Sequence, residues 1–168
     1  ALFFGIAAFF ALWSQQYVLG LFLFIVNRLL DGLDGTVARI NDLQSDIGGY
    51  VDILADFAAY AFLPLGLVLA DPTTANFIAL AILISIFYIN SASWMYLAAL
   101  LEKRKQHGSR KLTSIEMPAG LIGGTETMLF YGAFMLFPQH LVWLFGVMIG
   151  GVLITIGQRL VWAIQHID

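Results

Sequence analysis

Six apolar runs set the terms on which this chain folds. They lie at Ala1 to Trp13, about Tyr17 to Val37, about Gly48 to Leu69, about Phe77 to Leu101, about Gly120 to Leu136 and about Leu141 to Ile164. A helix that crosses a hydrocarbon core of about 30 Å needs about 20 mainly apolar residues. At about 1.5 Å per residue the first run is too short for that, so it reads as a helix whose beginning is cut off. The turn-like DPTTAN at Asp71 to Asn76, the polar EKRKQHGSRKLTSIE after Leu101 and the short FPQH connection separate the later runs. Composition points the same way: 60% of residues are hydrophobic and 11% charged, against roughly 25% charged in an ordinary soluble domain. Mean hydropathy is +0.86. The expected fold is an all-α integral membrane protein with six transmembrane helices, the first truncated, in a single domain over residues 1–168.

Charge then gives an orientation. Positive residues beside short loops stay on the cytoplasmic side. If the second helix runs inward, Arg28 and Arg39 lie near the inner face, and an even number of crossings later so do Lys103, Arg104, Lys105, Arg110 and Lys111. Arg159 falls near the inner end of the sixth helix. That accounts for all eight Lys and Arg and leaves none in the DPTTAN or FPQH connections, which are expected to face outward. The expected location is a bacterial or archaeal inner or plasma membrane. A net charge of −3 and a pI near 5.4 give no basis for a nucleic-acid partner. The absence of cysteine excludes disulfide frameworks, thiolate metal sites and cysteine nucleophiles.

The inner half of this membrane plan holds a set of carboxylates. Asp31 and Asp34 stand at i, i+3, and Gly48, Asp52 and Asp56 at i, i+4, i+8, so each set follows one helix face and two helices can aim four carboxylates at one point. Each charge at the centre of a membrane helix costs about 2.5 to 3.5 kcal/mol, so four unpaired and deep would cost about 10 to 14. Protonation relieves that cost, but divalent cations relieve it better and give the cluster a use. All-oxygen ligands suit Mg²⁺ or Mn²⁺, above all where phosphate oxygens complete the shell. Gly35 and Gly48 leave room beside the carboxylates for a ligand or a neighbouring helix, and Arg39 has the charge for a diphosphate that two metals only partly neutralise. The bland alternatives are protonated aspartates as interhelix glue, a topology-setting Arg39 and packing glycines.

From Asp31 to Asp56 the chain reads Asp-x2-Asp-Gly-x2-Ala-Arg-x8-Gly-x3-Asp-x3-Asp. This resembles the signature of the CDP-alcohol phosphotransferase (CDP-alcohol phosphatidyltransferase) family at all eight fixed positions and every spacing. The resemblance implies transfer of a phosphatidyl or similar substituted phosphate from a CDP-linked donor, often CDP-diacylglycerol, to a small alcohol, with release of CMP and production of phospholipid. It implies that Asp31, Asp34, Asp52 and Asp56 hold two Mg²⁺ or Mn²⁺ ions on the donor diphosphate, and that Asp56 is also the general base. Gly35, Ala38, Arg39 and Gly48 would line the CDP pocket, with the active site near the cytoplasmic face. Members are commonly homodimers, so a homodimer within membrane lipid is the expected assembly. Phe57 follows the last motif aspartate, where many members carry a basic residue.

Two other functions compete. A divalent-cation transporter would use the same carboxylates, but neither paired broken helices nor repeat symmetry is apparent. A catalytically silent member that binds CDP or lipid is opposed by the intact Asp56. The acceptor is open among glycerol phosphate, inositol phosphate, serine and an amino alcohol. Arg28 and Arg159 lie within apolar helices, where each either serves an anionic substrate or snorkels to the interface. Lys103, Arg104, Lys105, His107, Arg110 and Lys111 read first as a topology determinant and second as an anion site. Glu126 reads first as the partner of a buried arginine, and otherwise as support for the acceptor site or as protonated interhelix glue. His107, His140 and His166 lack the i+4 partners of a zinc site. Trp13, Trp94, Trp143 and Trp162 read as interfacial anchors.

Overall fold

The computed structural model describes residues 2–41, 45–106 and 120–167. Among these residues the chain forms six α-helices: α1 (Leu2–Trp13), α2 (Tyr17–Ile40), α3 (Asp46–Ala70), α4 (Thr74–Gln106), α5 (Gly124–Leu136) and α6 (Leu141–His166), with a single 3-10 turn at Pro138–His140 before α6. Helices are the natural answer in lipid, because they satisfy every internal backbone N–H and C=O within one segment. Three of them, α3, α4 and α6, are long and apolar enough to cross a membrane. The other three fall short of that test for visible reasons. α1 and α5 have 12 and 13 residues, too few for a 30 Å core at about 1.5 Å each. α2 has 24 residues but carries Arg28, Asp31, Asp34 and Arg39.

Helix ends differ from the expected ones where side chains cap the backbone. α3 begins at Asp46 because Ser45 is its N-cap, accepting from the Gly48 N–H at 3.0 Å. α4 begins at Thr74, earlier than the apolar run, with the Thr73 hydroxyl accepting from the Asn76 N–H at 3.1 Å. α5 begins four residues late. The preceding backbone is held by α6 instead: Leu121 N–H donates to Gln158 Oε1 at 3.0 Å and Ile122 N–H to Thr155 Oγ1 at 2.8 Å. Gly120 is needed there, since a Cβ would come within 2.1 Å of Thr155. Among the described residues Glu126 does not pair with an arginine. Its Oε2 accepts from Gly123 N–H at 2.9 Å, the side-chain half of a capping box at the start of α5.

The chain divides into two compact units, Ala1–Leu80 with Tyr131–Val142, and Ala81–Phe130 with Trp143–Asp168. In the first unit α1 packs on α2 and α3 through glycines. A Cβ on Gly20 would lie 2.4 Å from Leu12 Cδ2, and one on Gly66 would lie 3.0 Å from the Phe9 carbonyl oxygen; small residues let helices close to that distance where no hydrophobic effect drives them together. Leu12, Leu63, Leu67 and Val68 fill the space between. Gln15, at φ 62° in the turn after α1, donates through Nε2 to the Ala70 carbonyl at 2.9 Å and ties that turn to the end of α3. In the second unit Phe145, Met148 and Val152 of α6 are buried, and a Cβ on Gly151 would lie 2.8 Å from the Ile122 side chain.

Candidate active site

The motif helices α2 and α3 are joined across their facing sides by one arginine. Arg28 stands one turn before Asp31 on α2, a spacing that puts both on the same face. Its Nη1 donates to Asp56 Oδ1 on α3 at 2.6 Å and stands 3.8 Å from Asp31 Oδ2. Its Nε and Nη2 donate to Asn27 Oδ1 at 2.9 and 2.7 Å. The rings of Phe24 and Tyr60 lie 6.0 and 5.9 Å from the guanidinium carbon, at the range where a ring face attracts a cation. Behind them Tyr131, fully buried, donates its hydroxyl hydrogen to the Tyr60 carbonyl at 2.5 Å. The arginine is thus gripped by two carboxylates, an amide and two rings. Sequence reading left Arg28 between substrate binding and snorkelling; its i, i+3 relation to Asp31 was the available signal for this role.

Of the four predicted metal ligands, the structure draws three into one electrostatic group: Asp31 interacts with Arg28, Asp56 and Asp52. Asp31 and Asp56 are half-buried, while Asp34 and Asp52 are exposed. Gly35 is half-buried on α2. The close neighbour of Gly48 is its own cap, Ser45, whose Oγ would lie 2.9 Å from an added Cβ. Ala38 and Arg39 belong to α2, but their side chains lie outside the described residues, as do His107, Arg110, Lys111 and the side chain of Lys105.

The donor chemistry fits a hard divalent cation, because every acidic group is a carboxylate and two helices contribute them. Among the described residues no three acidic or histidine side chains are arranged to hold an ion as they stand. The Arg28 guanidinium, within reach of both Asp31 and Asp56, takes the place between them.

Beside this group a cavity of about 210 Å³ is bounded at one side by Asn27, Arg28 and Asp31 and elsewhere by Leu2, Ile6, Phe9 and Phe62 of α1 and α3, among others. The lining thus combines the polar group of Asn27, Arg28 and Asp31 with apolar side chains.

A family model described as CDP-alcohol phosphatidyltransferase matches residues 1–158. The chain is similar to "Inner membrane protein YnjF" of Escherichia coli, 39% identical over 123 residues, which are 73% of this chain and 59% of that protein. It is also similar to CDP-diacylglycerol–serine O-phosphatidyltransferase of Helicobacter pylori, 38% identical over 64 residues, 38% of this chain and 27% of that protein. The matches therefore span less than two thirds of either relative's length. No solved structure matches the chain.

Proposed function

The chain belongs to the CDP-alcohol phosphatidyltransferase family, and we propose that it is a membrane enzyme of phospholipid synthesis. It moves a phosphatidyl or similar group from a CDP-linked donor such as CDP-diacylglycerol to the hydroxyl of a small alcohol and releases CMP. One observation carries this reading: carboxylates from α2 and α3 meet at Arg28 on the edge of a cavity whose other walls are apolar. A lipid donor has the matching form, a diphosphate next to hydrocarbon. The likeness to an inner-membrane protein and to a serine phosphatidyltransferase agrees with it.

Asp31, Asp34, Asp52 and Asp56 would hold the two Mg²⁺ or Mn²⁺ ions. When bound, these ions supply charge neutralisation for the diphosphate and the departing CMP. The chain's own residues do the rest. Arg28 offsets the repulsion between Asp31 and Asp56 and, with its guanidinium nitrogens bonded to Asp56 and Asn27, ties α2 to α3. Asp56 accepts the proton of the acceptor hydroxyl as its oxygen bonds to phosphorus and the bond from phosphorus to the CMP oxygen breaks. Gly35, Ala38, Arg39 and Gly48 would border the nucleotide. Such chemistry draws mainly on positioning and electrostatic stabilisation, and the distribution of the basic residues supports a site that faces the cytoplasm.

The test is thermal unfolding of the detergent-solubilised protein with CDP-diacylglycerol, with and without Mn²⁺. A ligand at 100 times its dissociation constant adds about 2.7 kcal/mol. Metal-dependent stabilisation that disappears in Asp31→Asn is the expected result, and Asp56→Asn is expected to keep donor binding while transfer is lost. Stabilisation by Mn²⁺ alone, with no donor effect, would overturn the reading in favour of a cation site used for transport.

A further inference from the structure

The second unit contains an arginine in the opposite situation. Arg159 of α6 is only 7% exposed. Its Nη1 donates to the Asn90 carbonyl and side-chain oxygen of α4, at 3.2 and 3.0 Å. Its Nε is shielded and has no hydrogen-bond partner, and no carboxylate lies within ion-pair distance among the described residues. A guanidinium carries five N–H donors in a planar fork, and here one nitrogen does most of the bonding. Desolvating a cation without a counter-charge is costly. A fold that retains such a group has a use for its unspent charge.

The surroundings indicate the missing partner. Arg159 lines a cavity of about 320 Å³ whose other walls include Leu97, Leu100, Ile156 and Ala163. Two more lining residues, Tyr96 and Leu160, are exposed, so the cavity opens to the surface of the helices. Ile167 lines it as well, and its carbonyl accepts from Arg104 Nη2, which puts a second guanidinium at the edge. A free phosphate ester would satisfy the cations and leave the leucine and isoleucine walls uncovered. A hydrocarbon chain would do the reverse.

We propose that this cavity binds an anionic phospholipid, with its phosphate on the free side of the Arg159 guanidinium and its chain along Leu97, Leu100 and Ile156. The ligand class is a phosphate ester on an apolar tail. The site is built from α4 and α6 and uses none of the α2 and α3 carboxylates.

The experiment is a thermal-unfolding titration of the purified chain in an uncharged detergent with three probes. Dioctanoyl phosphatidate has both parts, dioctanoylglycerol has the chains without the phosphate, and glycerol 3-phosphate has the phosphate without the chains. Saturable stabilisation by phosphatidate is expected, with at least tenfold weaker binding of the other two. Arg159→Gln is expected to weaken phosphatidate about tenfold, the loss of one charge-assisted hydrogen-bonding group. Ala163→Phe, which fills the cavity and spares the cation, is expected to do the same and carries the test if Arg159→Gln does not fold. Asp31→Asn is expected to bind phosphatidate normally. Undiminished binding in both cavity variants, or loss in Asp31→Asn alone, overturns the site. Glycerol 3-phosphate binding as tightly as phosphatidate overturns the lipid and assigns the pocket to a free phosphate ester.

Discussion

Two arginines buried in apolar helices have been given opposite company. Arg28 has Asp56 at 2.6 Å, Asp31 at 3.8 Å, the Asn27 amide and two aromatic rings. Arg159 has the two oxygens of Asn90, a bare Nε and an apolar cavity. The same side chain is neutralised within the fold in one case and left with unspent charge in the other. Burial alone therefore does not say what an intramembrane cation is for; its internal partners do. An arginine matched by carboxylates organises those carboxylates, and one matched only by carbonyl-type oxygens keeps its fork for an anion from outside.

Removing each cation is the most direct way to break that comparison. Arg28→Met leaves Asp31 and Asp56 close together without their counter-charge. Breaking a fully buried pair costs 3–5 kcal/mol and an exposed one about 0–1. With the Arg28 side chain 9% exposed and that of Asp56 30%, a loss of about 2 kcal/mol is expected in denaturant unfolding. Transfer is expected to fall with it, because the carboxylates lose their spacing. An unfolding midpoint equal to the wild type would mean that the ion pair adds nothing to the fold.

The matched substitution sharpens the contrast. Arg159→Met removes a desolvated charge with no counter-ion and fills similar volume with an apolar chain, so in lipid-free micelles its stability is expected to be unchanged or raised by about 1 kcal/mol. Should it be destabilised as much as Arg28→Met, its bonds to Asn90 would be structural and the two arginines would not differ in kind.

Much of this was legible in the sequence, and the gaps have identifiable causes. All six helices follow from the apolar runs, because length and hydropathy decide them. Their ends shifted where a side chain outweighed the apolar pattern: Ser45 and Thr73 at starts, and Thr155 and Gln158 holding Leu121 and Ile122 out of α5. Six transmembrane helices, the first cut short, were expected and three helices meet the length and hydropathy test, since α1 and α5 are short and the charges in α2 lower the very signal that marks a span. The motif spacing placed Asp31 and Asp56 on facing helices. Arg28 was missed as their tie, because the i, i+3 relation shows only half of a contact whose other half lies 28 residues away. Glu126 was misjudged because an acid in an apolar run suggests a distant cation, whereas its partner is a backbone N–H three residues before it.

The smallest expected effect concerns the support beneath the first arginine. Tyr131 is 5.5 Å from the Tyr60 ring and 6.1 Å from the Phe24 ring, centroid to centroid, and these are the two rings that face Arg28. Its hydroxyl hydrogen bond to the Tyr60 carbonyl is partly buried. Tyr131→Phe keeps the ring and removes that bond, so a loss of about 1 kcal/mol is expected. No ring lies within cation–π range of Arg159 among the described residues, and Tyr131 shares no partner with it. Paired with Arg159→Met, the Tyr131→Phe change should therefore add to within about 0.5 kcal/mol, while paired with Arg28→Met it should depart from additivity by more than that. Equal additivity in both cycles would mean that the rings fill space without holding the guanidinium, and the two arginines would then differ only in their carboxylates.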